Sequence, residues 1–281
     1  MTTGAANQLT FGRGRRLGTR VALRLGSVVT AIIVVVLLAP VLTVIAVSFS
    51  QAEFFEFPPK ALGFRQYDTL FSDTDWLKAV GLSFRIAIPA ALISALISVP
   101  TVLAIYRSSL RGRQALQFTS MLSLIIPISA YAVAMYGVFA QFQLVGTYIG
   151  LVIANTVLAF PLTLAVVAAA MSRVPQELEL AAMIAGASRA RAWMQITGRL
   201  LLPALLGGTL LAFIASFDEA VMINFVGGAG QITLPKAIFD SVRYGVDPVI
   251  TAIATLLMVG TGVLMFAIVR LRGAGNPEGG S

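Results

Sequence analysis

A chain of 281 residues with 58% hydrophobic and only 11% charged residues cannot hide its apolar side chains in the core of a water-soluble domain. It has no cysteine and no histidine, which excludes disulfides, the usual zinc sites and the commonest general base. The net charge of +8 does not indicate a nucleic-acid partner, because the basic residues lie beside apolar runs, where they indicate membrane topology. The mean hydropathy of +0.89 predicts a protein whose solvent is the lipid bilayer.

Six uncharged apolar runs are candidates for membrane helices, each of which needs about 20 residues. In chain order they are 28–47, 86–106, two runs within 114–172, 200–217 and 248–269. We expect the turn inside 114–172 near Gly146 and Thr147, and kinks at the prolines inside the runs, Pro40, Pro127, Pro161 and Pro203. The fold class predicted is therefore an all-α membrane protein with six transmembrane helices.

The lysines and arginines are unevenly divided between the two sides of such a protein. The side that includes both termini carries 14 basic residues, and the other side carries six. The positive-inside rule therefore places both termini in the cytoplasm. The predicted domains are a basic N-terminal segment at 1–24, a six-helix membrane domain at 25–272 and a flexible cytoplasmic tail at 273–281.

A polar, alanine-rich insert at 174–199 separates the fourth and fifth runs on the predicted cytoplasmic side. Pro175 can open a helix, and Glu177 and Glu179 favour the dipole of its first turn. Gly186 can end this helix in the left-handed conformation, and a second short helix is expected at 189–197. Two short helices joined at a glycine predict a rigid projection on which a soluble partner can dock. The alternative is an ordinary amphipathic linker.

The insert resembles the cytoplasmic signature of permease subunits of binding-protein-dependent ABC importers, which reads Glu-Ala-Ala, three residues, Gly, nine residues, Ile-x-Leu-Pro. Ala181, Ala182, Gly186 and Ile196 fall in register with it. The chain departs from it at Leu180, which occupies the glutamate position one residue after Glu179. Gly198-Arg199 replaces Leu-Pro, although Leu202-Pro203 follows soon after.

A second region resembles permeases of the polyamine (spermidine/putrescine) type. It comprises Ser216-Phe217-Asp218-Glu219, Leu234-Pro235 and Gly245-Val246-Asp247-Pro248. This resemblance implies a solute that is polyamine-like or another small charged organic molecule.

The resemblance also implies the type I ABC permease fold in a bacterial inner membrane and a set of partners. These are two ABC ATPase subunits that hold ATP and Mg²⁺, a second, paralogous permease and an extracytoplasmic solute-binding protein, while this chain itself carries no cofactor. The residues that the resemblance implies for ATPase docking are Glu177, Glu179, Leu180, Ala181, Ala182, Gly186, Ala187, Ser188 and Arg189.

Polar residues within or beside the spans are candidates for the solute pathway. A carboxylate at membrane depth costs roughly 2.5–3.5 kcal/mol unless it faces a polar cavity or a cation, which singles out Asp218 and Glu219. The pair has a structural alternative, in which it marks the end of the span or bonds a neighbouring helix or Arg85. Asn224 is a weaker candidate of the same kind. Asn155 is expected to find a hydrogen bond between packed helices, and contact with the solute is the alternative. Arg85 is expected to snorkel to the interface, and the alternatives are pairing with an acid or facing the pathway.

The sequence has no GxxxxGK[ST] phosphate-binding loop, so any energy from ATP must come from another polypeptide. No metal-ligand cluster and no Ser/His/Asp arrangement is present, and an enzyme is not predicted. The competing interpretation is a self-contained secondary transporter or an intramembrane enzyme. Secondary transporters usually show an internal repeat, and none is evident here.

Overall fold

The computed structural model describes the backbone at residues 6–122, 124–228, 230–245 and 247–274, and these ranges are almost entirely helical. An isolated bridge between Ser50 and Leu62 is the one strand-like pairing in them. A π-helical turn, Trp193–Thr197, joins α8 to α9. The helices are α1 Ala6–Ser48, α2 Arg65–Ser72, α3 Thr74–Arg107, α4 Arg113–Leu122, α5 Ile128–Gln141, α6 Tyr148–Met171, α7 Glu177–Ile184, α8 Arg189–Ala192, α9 Gly198–Phe217, α10 Val221–Val226, α11 Leu234–Tyr244 and α12 Val249–Ala274.

The chain forms two compact units, Met1–Ser72 with Val246–Ser281, and Asp73–Gly245. In the first unit α12 packs against α1 and α2. The segment after α1 is held by Gln66, whose Nε2 donates to the carbonyl oxygens of Ser50 at 3.1 Å and Ala52 at 2.8 Å. These bonds satisfy backbone groups that have no helical partner.

The predicted basic N-terminal segment, 1–24, is helical from Ala6 onward. Helix α1 begins at Ala6 and continues through Pro40 to Ser48. Arginine and leucine are good helix formers, and adding a residue to an existing helix costs far less than starting one. The remaining terminal residues, 1–5 and 275–281, lie outside the described residues.

In the second unit, α3, α6 and α9 pack closely against one another. Their contact contains the buried alanines Ala91, Ala159 and Ala212. Thr163 Oγ1 of α6 donates to the carbonyl oxygen of Gly208 in α9 at 3.1 Å. Small residues at such contacts let helix backbones approach closely, which is how helices associate where lipid removes the hydrophobic driving force.

Four described helices are long and apolar enough to cross a membrane, namely Gly26–Ser48, Thr74–Arg107, Tyr148–Met171 and the helical run Arg189–Phe217. Each contains one of the predicted runs. The other two predicted runs correspond to shorter apolar helices, Ile128–Gln141 and Val249–Val263 in the described part of the chain. The count of six spans therefore stays a prediction. The predicted class, an all-α membrane protein, is confirmed.

The third predicted run is broken rather than kinked, so the prediction at Pro127 is wrong. Pro127 stands at the N-cap of α5, and the chain leaves the helical conformation between α4 and α5. Proline lacks an N–H and disfavours a helical conformation at the preceding residue. Pro161 and Pro203, by contrast, lie inside the continuous helices α6 and α9.

The turn before α6 lies where the sequence predicts it. Gly146 has a φ of +78°, a conformation that glycine adopts without strain. Thr147 caps α6, because its Oγ1 accepts from the backbone N–H of Gly150 at 3.0 Å.

Candidate functional site

The insert between α6 and α9 starts with α7, which carries Glu177 and Glu179 in its first turn. Gly186 has a φ of +95°, and its N–H donates to the carbonyl oxygen of Met183 at 3.0 Å. Ala187 N–H donates to the carbonyl oxygen of Ala182 at the same distance. Because these bonds use carbonyls that the helix leaves free, α7 ends at this glycine as predicted.

The second helix of the insert lies at the predicted 189–197, where α8 and the π-helical turn follow one another. Ser188 caps α8, with its Oγ accepting from Arg191 N–H at 3.4 Å. From there the chain stays helical from Arg189 to Phe217, through the π-helical turn. The second half of the insert is thus continuous with the membrane helix α9, so a displacement of one is passed to the other.

The outer face of α7 exposes apolar side chains. Ile184 is 87% exposed and Leu180 is 46% exposed. The two residues are four positions apart and therefore share one helix face. Together they form the exposed apolar face of α7.

Most of the residues predicted to dock the ATPase are exposed to solvent or half-buried, as Leu180 is. The exposed ones are Glu177, Leu180, Ala181, Gly186, Ser188 and Arg189, and the half-buried ones are Ala182 and Ala187.

Glu179 is the exception, because its side chain points into the insert. Arg107 Nε at the end of α3 donates to Glu179 Oε1 at 2.9 Å, and both side chains are only 11% exposed. Thr197 Oγ1 donates to the same carboxylate oxygen. Arg107 and Thr197 were not predicted as site residues, since nothing in the sequence relates positions 107, 179 and 197 to one another.

Asp218 and Glu219 occupy different environments at the end of α9. Asp218 is the C-cap residue of α9 and is exposed. Glu219 is buried, and its Oε1 accepts from the N–H of Met222 at 2.6 Å. The Glu219 carboxylate thus satisfies a free N–H in the first turn of α10.

Asn155 is buried between two of the packed helices. Its Nδ2 donates to the carbonyl oxygen of Leu151 at 2.9 Å, and its Oδ1 accepts from Ser216 Oγ at 3.0 Å. The second bond joins α6 to α9. Asn155 therefore makes the helix-packing contacts that were expected of it.

Asn224 and Arg85 lie on the side of this unit that contains α11. Asn224 is exposed, and its Oδ1 accepts from Lys236 Nζ at 2.8 Å. Lys236 Nζ also donates to Asp240 Oδ2 at 2.9 Å. Arg85 is exposed and takes part in none of the ion pairs in the described part of the chain.

A cavity of about 690 Å³ lies between the start of α3 and α11, and Arg85, Asp75, Trp76 and Asp240 are among its lining residues. Of these, only Arg85 was predicted as a pathway residue. Asp75 and Asp240 lie far apart in the sequence, so only the packing of α11 near α3 reveals them. Among the described residues no three His, Cys, Asp or Glu side chains come together as a metal site would need.

Long apolar helices joined by a short polar insert define an integral membrane protein. Comparison with known proteins identifies the family. The chain belongs to the binding-protein-dependent transport system inner membrane components, whose family profile matches residues 88–273. It is therefore a multi-pass transport subunit of the inner membrane rather than an enzyme.

Two relatives are permease proteins of polyamine transport systems. The putrescine transport system permease protein PotI of Escherichia coli K12 is 31% identical over 209 residues, which cover 72% of this chain and 74% of PotI. The spermidine/putrescine transport system permease protein PotC of Haemophilus influenzae is 30% identical over 203 residues, covering 71% of this chain and 78% of PotC.

A solved structure shows the same fold. It is the crystal structure of a bacterial ABC transporter involved in the import of the acidic polysaccharide alginate. The TM-score is 0.71 at 16% sequence identity, and the match covers 90% of this chain and 96% of the other. At this identity the likeness supports the fold of an ABC importer permease.

Proposed function

We propose that this chain is the permease subunit of an ATP-driven importer for a polyamine-like solute or another small charged organic solute. The observation that carries the proposal is the exposed apolar face of α7, in an insert whose second half continues into the membrane helix α9. The names of PotI and PotC support a polyamine as the solute.

The partners follow from the family. Two ABC ATPase subunits bind ATP and Mg²⁺, a paralogous permease completes the membrane part, and an extracytoplasmic binding protein delivers the solute. The 14 basic residues on one side support a topology with both termini and the insert in the cytoplasm. In this topology the ATPase meets the insert from the cytoplasm.

In the proposed docking site, Leu180, Ala181 and Ile184 make the apolar contact with the ATPase. Their alanine and glycine neighbours, Ala182, Gly186 and Ala187, allow close approach of the partner's backbone. Glu177, Ser188 and Arg189 form the polar rim. Glu179 acts from inside the insert, because its carboxylate already has two intrachain donors.

For the solute pathway, Asp218 is the residue that we assign to contact with a cationic solute. Its carboxylate is exposed at the end of α9, whereas Glu219 and Asn155 are engaged in intrachain hydrogen bonds. Glu219 and Asn155 therefore shape the pathway wall. Asn224 and Arg85 contribute polar groups nearer α11.

The proposed cycle is alternating access. Closure of the ATPases on ATP displaces α7, and the continuous helix from Arg189 to Phe217 carries this displacement into the membrane part. The permease then accepts solute from the binding protein. ATP hydrolysis returns it to the inward-facing state.

Co-purification tests the proposal. The wild-type chain, extracted in mild detergent from its native membrane, is expected to bring an ATPase, a second permease and a ligand-loaded binding protein, identified by mass spectrometry. Ile184→Asp, which places a charge in the apolar contact, is expected to lose the ATPase but keep the second permease. Asn224→Asp is the control, because it adds a charge at an exposed position away from the insert.

Two results would contradict the proposal. One is Ile184→Asp retaining the ATPase at the wild-type ratio. The other is solute transport by the purified chain alone in liposomes, which would favour the self-contained secondary transporter.

A further inference from the structure

A buried polar cluster joins α7 to the ends of two membrane helices. Glu179 Oε1 of α7 accepts from Arg107 Nε at 2.9 Å and from Thr197 Oγ1. Arg107 ends α3, and Thr197, which is fully buried, ends the π-helical turn that leads into α9. One carboxylate oxygen of α7 therefore contacts two other elements, α3 and the π-helical turn.

Arg107 adds two further bonds to this cluster. Its Nη2 donates to the carbonyl oxygen of Val174, just before α7, at 2.9 Å. Its own carbonyl oxygen accepts from Nη2 of Arg189, the first residue of α8, at 3.4 Å. Charge-assisted bonds from a planar guanidinium restrict orientation as well as distance. The insert is thus held to α3 from both sides of α7.

The π-helical turn is an unusual element at this point. π-Helical turns are rare and occur frequently at functional sites. The indole Nε1 of Trp193, the first residue of this turn, is buried with no hydrogen-bond partner in the described part of the chain. A buried donor without a partner is energetically unfavourable. A cavity of about 520 Å³, lined in part by Arg107, Glu179 and Trp193, adjoins the turn and leaves room for it to rearrange.

We propose that Glu179, Arg107 and Thr197 form a mechanical link that converts a displacement of α7 into movement of α3 and α9. Glu179 is a positioning residue of the transport cycle, and Leu180 and Ile184 make the contact with the partner. The Thr197–Glu179 bond holds the π-helical turn in register with α7. Without this bond, α7 moves independently of α9.

Transport per ATP tests the link, and this part of the test depends on the proposed importer function. The complete importer is reconstituted in liposomes with Thr197→Val, which removes one hydroxyl and leaves the Arg107–Glu179 pair intact. Solute transported per ATP hydrolysed is expected to fall between about twofold and thirtyfold, the range by which residues along a coupling route change it. Thr209→Val, which removes a hydroxyl that donates to the carbonyl oxygen of Leu205 in its own helix α9, is the control. An unchanged ratio in a fully assembled Thr197→Val complex would overturn the link.

A second measurement needs no partner and no solute. The chain has no cysteine, so Ile184→Cys and Arg199→Cys place spin labels only on α7 and the start of α9. Electron-spin distance measurement on the purified chain is expected to give one narrow distribution, which Thr197→Val or Glu179→Gln broadens. Equal widths in all variants would overturn the link even if the importer transports. A broadened distribution in a chain that binds no ATPase would leave the link standing and remove the proposed function.

Discussion

At the scale of single residues, the glutamate of the insert stands one position before the place that the family signature gives it. The family signature places its glutamate where this chain has Leu180, which is 46% exposed, while Glu179 faces inward and is buried. Consecutive helix residues point about 100° apart, so Glu179 cannot share the outer face with Leu180. We expect the ATPase groove that receives this chain to be apolar opposite Leu180.

The first residue-scale prediction concerns Asp218. Asp218→Asn is expected to reduce uptake of a cationic solute about fivefold, because two unit charges 4 Å apart in water attract by about 1 kcal/mol. The reduction is measured as uptake of radiolabelled putrescine by cells that express the importer with or without Asp218→Asn. Asp68→Asn, which neutralises an exposed acid in α2, is the control and is expected to leave uptake unchanged. Normal uptake by an assembled Asp218→Asn importer would show that Asp218 does not contact the solute.

At the scale of the elements, small residues decide how the spans associate. A Cβ on Gly208 of α9 would lie 3.2 Å from the Cα of Thr163 in α6 and 3.3 Å from its carbonyl oxygen. Neither atom can move without its helix. The neighbouring Gly207 has nothing within 4 Å of such a Cβ. Gly208 therefore lies in the close contact of α6 with α9, whereas the adjacent Gly207 faces open space.

We predict opposite effects for these two glycines. Gly208→Ala is expected to destabilise the chain by about 1–3 kcal/mol, the cost of overpacking a close contact. Gly207→Ala is expected to be neutral or stabilising by up to about 1 kcal/mol, because alanine is the better helix former. Thermal unfolding of the purified chain in detergent compares them. Equal unfolding temperatures for the two variants would contradict the close contact of α6 and α9.

At the scale of the whole molecule, the uneven division of basic residues accounts for the proposed orientation. Two described positions test it, because they lie in segments that the topology places on opposite sides. Ile184, in the insert, is 87% exposed, and Phe54, between α1 and α2, is 79% exposed. A chain without native cysteines lets each position be probed alone.

In cells that lack the proposed partner ATPase, so that Ile184 is uncovered, we expect Phe54→Cys to react with a membrane-impermeant maleimide added to intact spheroplasts. We expect Ile184→Cys to react only after the membrane is opened. Gel-shift labelling with a maleimide polymer measures both reactions. The Cys-free wild-type chain is the control for background labelling. The reverse pattern would place the insert outside the cytoplasm and remove the ATPase from it.

Much of the architecture could be predicted from sequence because its signals are local. Long uncharged runs, Gly146 at the turn before α6 and Gly186 at the end of α7 each act through the backbone or the solvent of their own segment. The break at Pro127 was harder to predict, because a proline inside an apolar run either bends or interrupts a helix. Neighbouring helices decide which outcome occurs.

The sequence by itself therefore determined the membrane class, the positions of the apolar segments and the place of the insert, since hydrophobicity and backbone conformation are properties of short stretches. Only the tertiary structure decided which polar groups meet. It separated buried Glu179 from exposed Leu180, joined Glu179 to Arg107 and Thr197, and joined Asn155 to Ser216. A buried polar group must find a partner wherever packing brings one within about 3 Å, and among the described residues such partners lie up to 151 residues apart, as Ser83 and Leu234 do.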